Sequence, residues 1–212
     1  METPIVKLTD IELDNVYEPS EDSFLLIDAL ETDLNDQLKN KKPSMCLEIG
    51  IGSGVVLTAL AMALKKFCSS HFVGIDINPI ACRATKKTSM LNKVDVDIVQ
   101  TDLLNNLHSR NVFDVIIFNP PYVVTESIEV QDEKLISKTW AGGIMGRQVM
   151  DKVFPFIPQF LSSEGLFYLL VIKENEPESI IELFKTWSMK GSIIAERKIR
   201  GEHLYVLRFQ RE

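Results

Sequence analysis

The chain has 212 residues, of which 45% are hydrophobic and 25% are charged, a composition typical of a globular protein and not of a disordered or fibrous one. Its 30 acidic and 23 basic residues give a net charge of -7, which disfavours nucleic acid as a substrate because polyphosphate would be repelled. Three cysteines without paired spacing argue against a disulfide framework and a self-contained zinc site. We expect one domain over residues 1–212, no metal, no membrane association and a cytoplasmic location, with the nucleus as a second compartment.

The first predicted element is an amphipathic helix near the N-terminus. The tetrapeptide Pro-Ser-Glu-Asp at 19–22 is a suitable helix start, and apolar residues recur at helical spacing from there to Leu34. Residues 1–40 are therefore expected to form a helical cap over one end of the sheet. The catalytic core is placed at 45–212.

Seven apolar runs of strand length follow, and helix-compatible segments separate the first of them. This alternation favours parallel strands covered by helices on both faces. Only a few residues around Gly201 join the last two strands, too few for a parallel crossover, so these strands are predicted to form an antiparallel hairpin. The predicted strands are 45–49, 72–77, 96–100, 113–118, 165–172, 193–199 and 204–209, and the predicted helices between the first three are 55–67 and 79–91.

A glycine-rich turn follows the first predicted strand. Its three glycines, Gly50, Gly52 and Gly54, allow the backbone to approach a ligand closely. A valine stands where the dinucleotide fingerprint needs its third glycine. Glu48, just before the turn, would repel a pyrophosphate but suits a cation. We therefore predict S-adenosylmethionine as the cofactor, because it carries a sulfonium and an ammonium and no phosphate.

Acidic residues at the ends of the next two strands complete the predicted cofactor site. Asp76 lies about 20 residues beyond the turn, where a carboxylate can accept both ribose hydroxyls. Asp102 ends the third strand and could accept from the adenine amino group. Ile77 and Leu103, which follow them, are assigned to the same site. The alternative, a plain tight turn with two helix caps, is weaker because all these elements occur in the expected order along the rim where α/β sheets bind ligands.

The fourth predicted strand runs directly into Asn119-Pro120-Pro121-Tyr122. The prolines lack backbone donors and leave carbonyl oxygens, and the Asn119 side chain adds another acceptor. The Asn119 side chain and these carbonyl oxygens are thus predicted to bind both hydrogens of a planar NH2 group and to orient its nitrogen for methylation. Tyr122 is predicted to flank that group or to face the sulfonium, with a plain core aromatic as the alternative. The next segment, 123–146, is long for a connection and typical of a lid or a substrate platform.

Together these motifs resemble the HemK-like branch of class I methyltransferases, in particular the enzymes that methylate the glutamine of the GGQ loop in translation termination factors. The resemblance implies N5-methylation of that glutamine, with Asn119 and Pro120 holding the amide and Tyr122 beside it. It also implies that Tyr17 and Glu21 line the cofactor or substrate entrance, although Tyr17 could instead pack on the following helix. The implied α/β fold is a seven-stranded, mostly parallel Rossmann-like sheet with helices on both faces and a C-terminal antiparallel hairpin. The stretches that carry the resemblance are 16–23, 47–54, 76–78, 101–103, 119–122 and 140–143.

The resemblance further implies a heterodimer with a small zinc-binding activator. In the usual methyltransferase strand order the third strand lies at an open edge, and the alternation of apolar and acidic residues over 94–98 suits addition of a partner strand. Alternatively, Asp95 and Asp97 are charges that keep an exposed edge from aggregating.

Three other functions stay open. The first is adenine N6-methylation, which the same tetrapeptide would suit. The second is protein lysine methylation, for which the motif offers no base, and the third is a non-catalytic subunit that binds S-adenosylmethionine.

Overall fold

A seven-stranded sheet forms the centre of the molecule in the computed structural model, which describes residues 1–105, 107–108, 110–127 and 140–212. The strand order is β3-β2-β1-β4-β5-β7-β6, with β1 to β5 parallel and β7 antiparallel to both of its neighbours. The chain proceeds from β1 towards one edge and returns through β4 towards the other, which creates a ligand-binding crevice between β1 and β4. The strands are β1 Met45–Ile49, β2 His71–Asp76, β3 Asp97–Gln100, β4 Phe113–Phe118, β5 Leu161–Ile172, β6 Met189–Ile199 and β7 Glu202–Arg211.

Helices cover both faces of this sheet. On β5, the Tyr168 hydroxyl donates to Asp33 of the N-terminal helix α2 at 2.7 Å, whereas Phe167 stacks on Phe184 of helix α8 with ring centroids 5.8 Å apart. Because successive strand side chains point to opposite faces, α2 and α8 lie on opposite sides of the sheet. The helices are α1 Asp10–Leu13, α2 Glu21–Asp33, α3 Lys39–Lys41, α4 Val55–Leu64, α5 Pro79–Leu91, α6 Met150–Val153, α7 Ile157–Phe160 and α8 Pro177–Lys185.

The predicted fold is confirmed, and several boundaries differ from the predicted ones. The C-terminal hairpin forms as predicted, but both of its strands are longer. The third strand is shorter: β3 begins at Asp97, and Val96 before it is buried. The Val94 N–H still donates to the Ser89 carbonyl at the end of α5. Of the alternating residues 94–98, only Asp97 and Ile98 therefore belong to the strand.

The N-terminal segment is helical only in part. Residues 1–9 contain no helix, and α2 starts at Glu21 with Ser20 at its N-cap. The Ser20 side chain makes no capping hydrogen bond, and the Ser23 N–H instead donates to Asp22. Glu21 pairs with Arg197 of β6, the last strand in the sheet order, so α2 lies beside the hairpin at that end of the sheet.

Three features of the described part of the chain concern membrane-spanning helices, metal sites and disulfides. None of its helices is both long enough and apolar enough to span a membrane. Its histidine, cysteine and acidic side chains form no group of three or more that could hold a metal ion. The three cysteines, Cys46, Cys68 and Cys82, are free thiols. The middle of the predicted lid segment, residues 128–139, lies outside the described residues.

Candidate functional site

A cavity of about 600 Å³ opens at the carboxyl ends of β1, β2 and β4, the part of an open α/β sheet that binds ligands. It brings together residues from the N-terminal segment, the glycine-rich turn and the loop after β4. Gly54 is not among its lining residues. The predicted site residues that line the cavity are Tyr17, Glu21, Glu48, Gly50, Gly52, Asp76, Ile77, Asp102, Leu103, Asn119, Pro120 and Tyr122.

The glycine-rich turn forms one part of the cavity wall. Gly52 has φ +53°, in the left-handed region that glycine adopts without a Cβ penalty, and a Cβ there would meet no atom within 4 Å. Gly54 also has a positive φ, but a Cβ at this position would come within 2.7 Å of Thr85 on α5. The need for glycine at Gly54 therefore arises from helix packing and not from contact with the cavity.

Glu48 places a buried carboxyl group beside this turn. Its side chain is only 3% exposed, and its Oε2 accepts a hydrogen bond from the Leu57 N–H in the first turn of α4 at 2.9 Å. Burial, with a smaller effect from the charge of Asp76, raises the pKa of Glu48 to about 8. A cationic ligand would stabilise the ionised form of this group, so the site suits the ammonium of S-adenosylmethionine.

Asp76 stands at the end of β2, held by backbone donors. Its Oδ2 accepts from the Gly52 N–H at 3.0 Å and its Oδ1 from the Asn78 N–H at 2.8 Å. Burial raises the pKa of Asp76, and these hydrogen bonds oppose that shift. Each carboxylate oxygen can accept a further hydrogen bond, so Asp76 can bind two ribose hydroxyls while it keeps its backbone partners.

Asp102 lies on the same wall, just beyond the third strand. β3 ends at Gln100, as predicted, and Asp102 belongs to the turn that follows, where Leu103 has φ +48°. Its carboxylate accepts from the Asn105 side chain at 3.4 Å. Asp102 therefore stands two residues beyond the end of the strand, at the same rim of the sheet as Asp76.

The loop after β4 presents two oxygen acceptors at the cavity. The Asn119 Nδ2 donates to Asp22 Oδ2 at 3.0 Å, whereas the Asn119 Oδ1 is buried without a hydrogen-bond partner in the described structure. The Pro120 carbonyl accepts no hydrogen bond from the described residues either. A buried acceptor left unpaired costs about 1–3 kcal/mol, so the Asn119 Oδ1 is suited to accept an N–H donor from a ligand.

Two tyrosines and a glutamate frame the opening. Tyr122 is 9% exposed, and burial followed by the charge of Asp22 raises the pKa of its phenol, which therefore stays protonated. Tyr17 is partly exposed, and burial raises the pKa of its phenol too. Glu21 lies at the rim, where its carboxylate forms an ion pair with Arg197 at 2.8 Å. Tyr17 and Tyr122 thus face the cavity, whereas the charge of Glu21 is already paired.

Sequence reasoning missed two buried residues that support the acceptor loop. Asp22 was interpreted only as part of a helix start, although it lies in the stretch around Tyr17 that carries the resemblance. Asn175 is fully buried, and its Nδ2 donates to the carbonyls of Tyr122 at 2.9 Å and Met145 at 2.8 Å. No local pattern links Asn175 to this loop, because the carbonyls that it binds there lie 53 and 30 positions away in the sequence.

Comparisons with known proteins agree with this geometry. The family model "Methyltransferase small domain" matches residues 22–139. Methyltransferase HEMK2 of Homo sapiens is 44% identical, over 92% of this chain and 89% of that protein. The eRF1 methyltransferase catalytic subunit mtq2 of Schizosaccharomyces pombe is 36% identical, over 100% of this chain and 96% of that protein. The solved E. cuniculi Mtq2-Trm112 complex, described as responsible for methylation of the eRF1 translation termination factor, matches with 28% identity and a TM-score of 0.69, over 93% of this chain and 99% of that one.

Proposed function

Because this chain belongs to the methyltransferase small domain family, and within it to the HEMK2 and Mtq2 group, we propose that it methylates a protein glutamine on N5. The methyl donor is S-adenosylmethionine, and the substrate is the GGQ loop of a class I translation termination factor. One observation carries the proposal: the buried Asn119 Oδ1 at the cavity has no hydrogen-bond partner in the described structure. A primary amide supplies the donor that this oxygen needs.

The acceptor pair provides what amide methylation requires. A glutamine amide is a weak nucleophile because its nitrogen lone pair is delocalised. Asn119 Oδ1 and the Pro120 carbonyl can accept its two hydrogens, fix its plane and stabilise the positive charge that develops on nitrogen. When bound, S-adenosylmethionine supplies a methyl group on a positively charged sulfur. Methyl transfer would place that methyl group on the amide nitrogen in exchange for one of its hydrogens, which would leave as a proton to water, while the donor would leave as an uncharged thioether.

The opposite wall of the cavity fits the proposed methyl donor. Glu48 offers a buried carboxyl group for an ammonium, and Asp76 offers two oxygens for ribose hydroxyls. Gly52 leaves open space above the turn. These residues meet the chemical needs of a ligand with two cationic groups and no phosphate.

The substrate proposal is tested by incubating the chain, co-expressed with its activator, with a purified termination factor and S-adenosylmethionine. Mass spectrometry is expected to find one added methyl group on the glutamine of the GGQ loop. A termination factor with asparagine in place of that glutamine is the control, and it should gain nothing. Methylation of lysine or of adenine, with the glutamine unmodified, would overturn the proposal.

We also propose a heterodimer with a small Trm112-like activator, which the resemblance implies to be zinc-binding. Support comes from the solved E. cuniculi complex and from the open edge at β3. The Thr101 N–H donates to the Asp76 carbonyl of β2, so alternation directs the N–H groups of Ile98 and Gln100 away from β2, towards the open edge. Four apolar side chains on β3, the end of β2 and α5 are at least 40% exposed: Ile77, Met90, Leu91 and Val99. An added strand would use those donors and cover this surface.

The partner proposal is tested at Gln100. Replacing it with proline removes an outward N–H and leaves the pairing of β3 with β2 intact, because the Gln100 nitrogen does not face β2. Gln100→Pro is expected to stop co-purification with the activator, and Gln100→Ala is the matched control that should retain it. A stable complex with Gln100→Pro would contradict strand addition at this edge.

A further inference from the structure

A buried carboxylate, Asp22, connects helix α2 to the acceptor loop. Its side chain is 3% exposed. One oxygen, Oδ1, accepts from the Ser23 N–H at 2.6 Å and lies 3.2 Å from the Ser23 hydroxyl. The other, Oδ2, accepts from the Asn119 Nδ2 at 3.0 Å and lies 3.5 Å from the Tyr122 hydroxyl. Both oxygens therefore face donors, and an ionised carboxylate has no hydrogen to donate.

This arrangement restricts the Asn119 amide to one of its two orientations. An asparagine amide has a donor end and an acceptor end of almost the same shape, and only its partners decide which end points where. Because Asp22 accepts and does not donate, the NH2 of Asn119 must face it. The oxygen is then at the other end of the amide, where it is buried and has no partner in the described structure, in a residue that lines the cavity.

We propose that Asp22 is a positioning residue for methyl transfer: it orients the Asn119 amide so that its oxygen, and not its NH2 group, faces the amide of the substrate. The inference rests on the proposed function, since it assumes that the substrate supplies an N–H donor. With the opposite orientation, two NH2 groups would face each other and the substrate amide would lose one of its two acceptors.

The surroundings of Asp22 are consistent with a carboxylate that serves only as an acceptor. Besides Ser23 and Asn119, the titratable groups around Asp22 are the phenols of Tyr17 and Tyr122 and the carboxyl group of Glu202. Burial, followed by the charge of Asp22, raises the pKa of each. Both phenols therefore stay protonated. The Tyr122 hydroxyl remains a donor towards Asp22. The acceptor for the Asn119 NH2 group is therefore Asp22 and not Tyr122.

The deciding variant is Asp22→Asn, which keeps the shape of the side chain and changes one acceptor into a donor. The new carboxamide oxygen will remain with the Ser23 N–H at the start of α2, which places the new NH2 group towards Asn119. The Asn119 amide must then turn over. We expect kcat for termination-factor methylation to fall about 10- to 100-fold, while the affinity for S-adenosylmethionine in calorimetry stays within about twofold.

A double variant distinguishes orientation from simple support. Asn119→Asp alone places two carboxylates against each other and should be nearly inactive. In Asp22→Asn/Asn119→Asp the new amide donates to the new carboxylate, whose second oxygen again faces the substrate as an acceptor. The double variant is expected to exceed Asn119→Asp in kcat by about tenfold. Additive losses, or a parental kcat in Asp22→Asn, would overturn the inference.

Asp33 supplies the matched control on the same helix. Its carboxylate is equally buried and accepts from Tyr168 at 2.7 Å and Arg208 at 2.6 Å, away from the cavity. Asp33→Asn is expected to lower the thermal unfolding temperature but to leave kcat unchanged. If Asp22→Asn does not fold, the comparison of kcat between Asn119→Asp and the double variant still tests whether Asp22 orients the amide. The double variant is suited to this because it keeps one carboxylate and one amide at the two positions.

A measurement that does not depend on activity separates this inference from the proposed function. The side-chain NH2 signals of Asn119 in a nitrogen-15 NMR spectrum report the contact with a carboxylate, and we expect them to shift in Asp22→Asn and not in Asp33→Asn. If the parent methylates no termination factor, the proposed substrate is wrong and these signals still test the orientation. Unchanged Asn119 signals in Asp22→Asn would refute the role of Asp22.

Discussion

The two walls of the cavity are built in different ways. The cofactor wall consists of Glu48, the glycine-rich turn and Asp76. Its hydrogen bonds join side chains to backbone N–H groups at most 24 positions away in the sequence. The acceptor wall consists of residues 119–122 and Asp22, and Gly146 and Asn175 pack against the Tyr122 carbonyl. Its hydrogen bonds join residues far apart in the sequence: the side chains of Asp22 and Asn119, 97 positions apart, and the Asn175 side chain and the Tyr122 carbonyl, 53 positions apart.

This difference indicates how each wall should respond to change. On the cofactor wall, each side chain has its own backbone partner, so a substitution should alter cofactor affinity and leave the other wall intact. On the acceptor wall, several elements hold one short loop, so changes far from the reacting atoms should affect methyl transfer. Five substitutions test this contrast.

The largest effect is expected for Asn119→Ala on the acceptor wall. It removes one of the two oxygens that orient the substrate amide, and loss of one preorganised polar group in an active site costs about 10²- to 10³-fold in kcat. Calorimetry should show cofactor affinity close to that of the parent. Substantial residual turnover would exclude Asn119 from the reaction.

The corresponding change on the cofactor wall is Asp76→Ala. It removes the carboxylate assigned to the ribose hydroxyls, a charged hydrogen-bond partner worth roughly 1.5–3 kcal/mol, so the dissociation constant for S-adenosylmethionine should rise about 10- to 100-fold. Circular dichroism should show the parental fold. An unchanged affinity in the titration would mean that the ribose site lies elsewhere.

A pair of glycine substitutions compares the two walls directly. A Cβ at Gly146 would lie 1.9 Å from the Tyr122 carbonyl oxygen, whereas a Cβ at Gly52 meets no atom within 4 Å. Gly146→Ala should destabilise the protein by about 1–3 kcal/mol in urea unfolding and lower kcat. Gly52→Ala should cost about 1–2 kcal/mol from its positive φ alone and lower cofactor affinity. If both variants lowered only kcat, or both lowered only cofactor affinity, the two walls would not differ in the way expected.

The smallest effect is a pH dependence that arises from Glu48. Its folded pKa of about 8 lies above the ordinary value of 4.5, so between these pH values the folded state binds more protons than the unfolded state, and stability falls as pH rises. Glu48→Gln should remove this decline, so that the stability of the ligand-free variant no longer falls between pH 6 and pH 8, while it weakens cofactor binding. Urea unfolding at pH 6 and pH 8 provides the measurement. Parallel pH profiles for parent and variant would show that Glu48 is not the group responsible.

The sequence alone was sufficient for the sheet and for the cofactor wall. The alternation of apolar runs with helix-compatible segments predicted the seven strands, and the short link at Gly201 predicted the hairpin. Glu48 and Asp76 were predicted as neighbours of the turn because each stands at the end of a parallel strand, and such ends meet at one rim. Rules of this kind need only local spacing, so a single sequence can satisfy them.

Only the tertiary structure decided how the acceptor wall is supported and where the edge strand begins. The pattern marks Asp22 only as a helix-start residue and does not mark Asn175, because the acceptor-loop partner of each is far away in the chain. Val96 fitted a strand pattern, yet it is buried ahead of β3. A buried polar side chain is retained for the hydrogen bonds that it makes, and when those bonds join distant segments, local spacing contains no record of them.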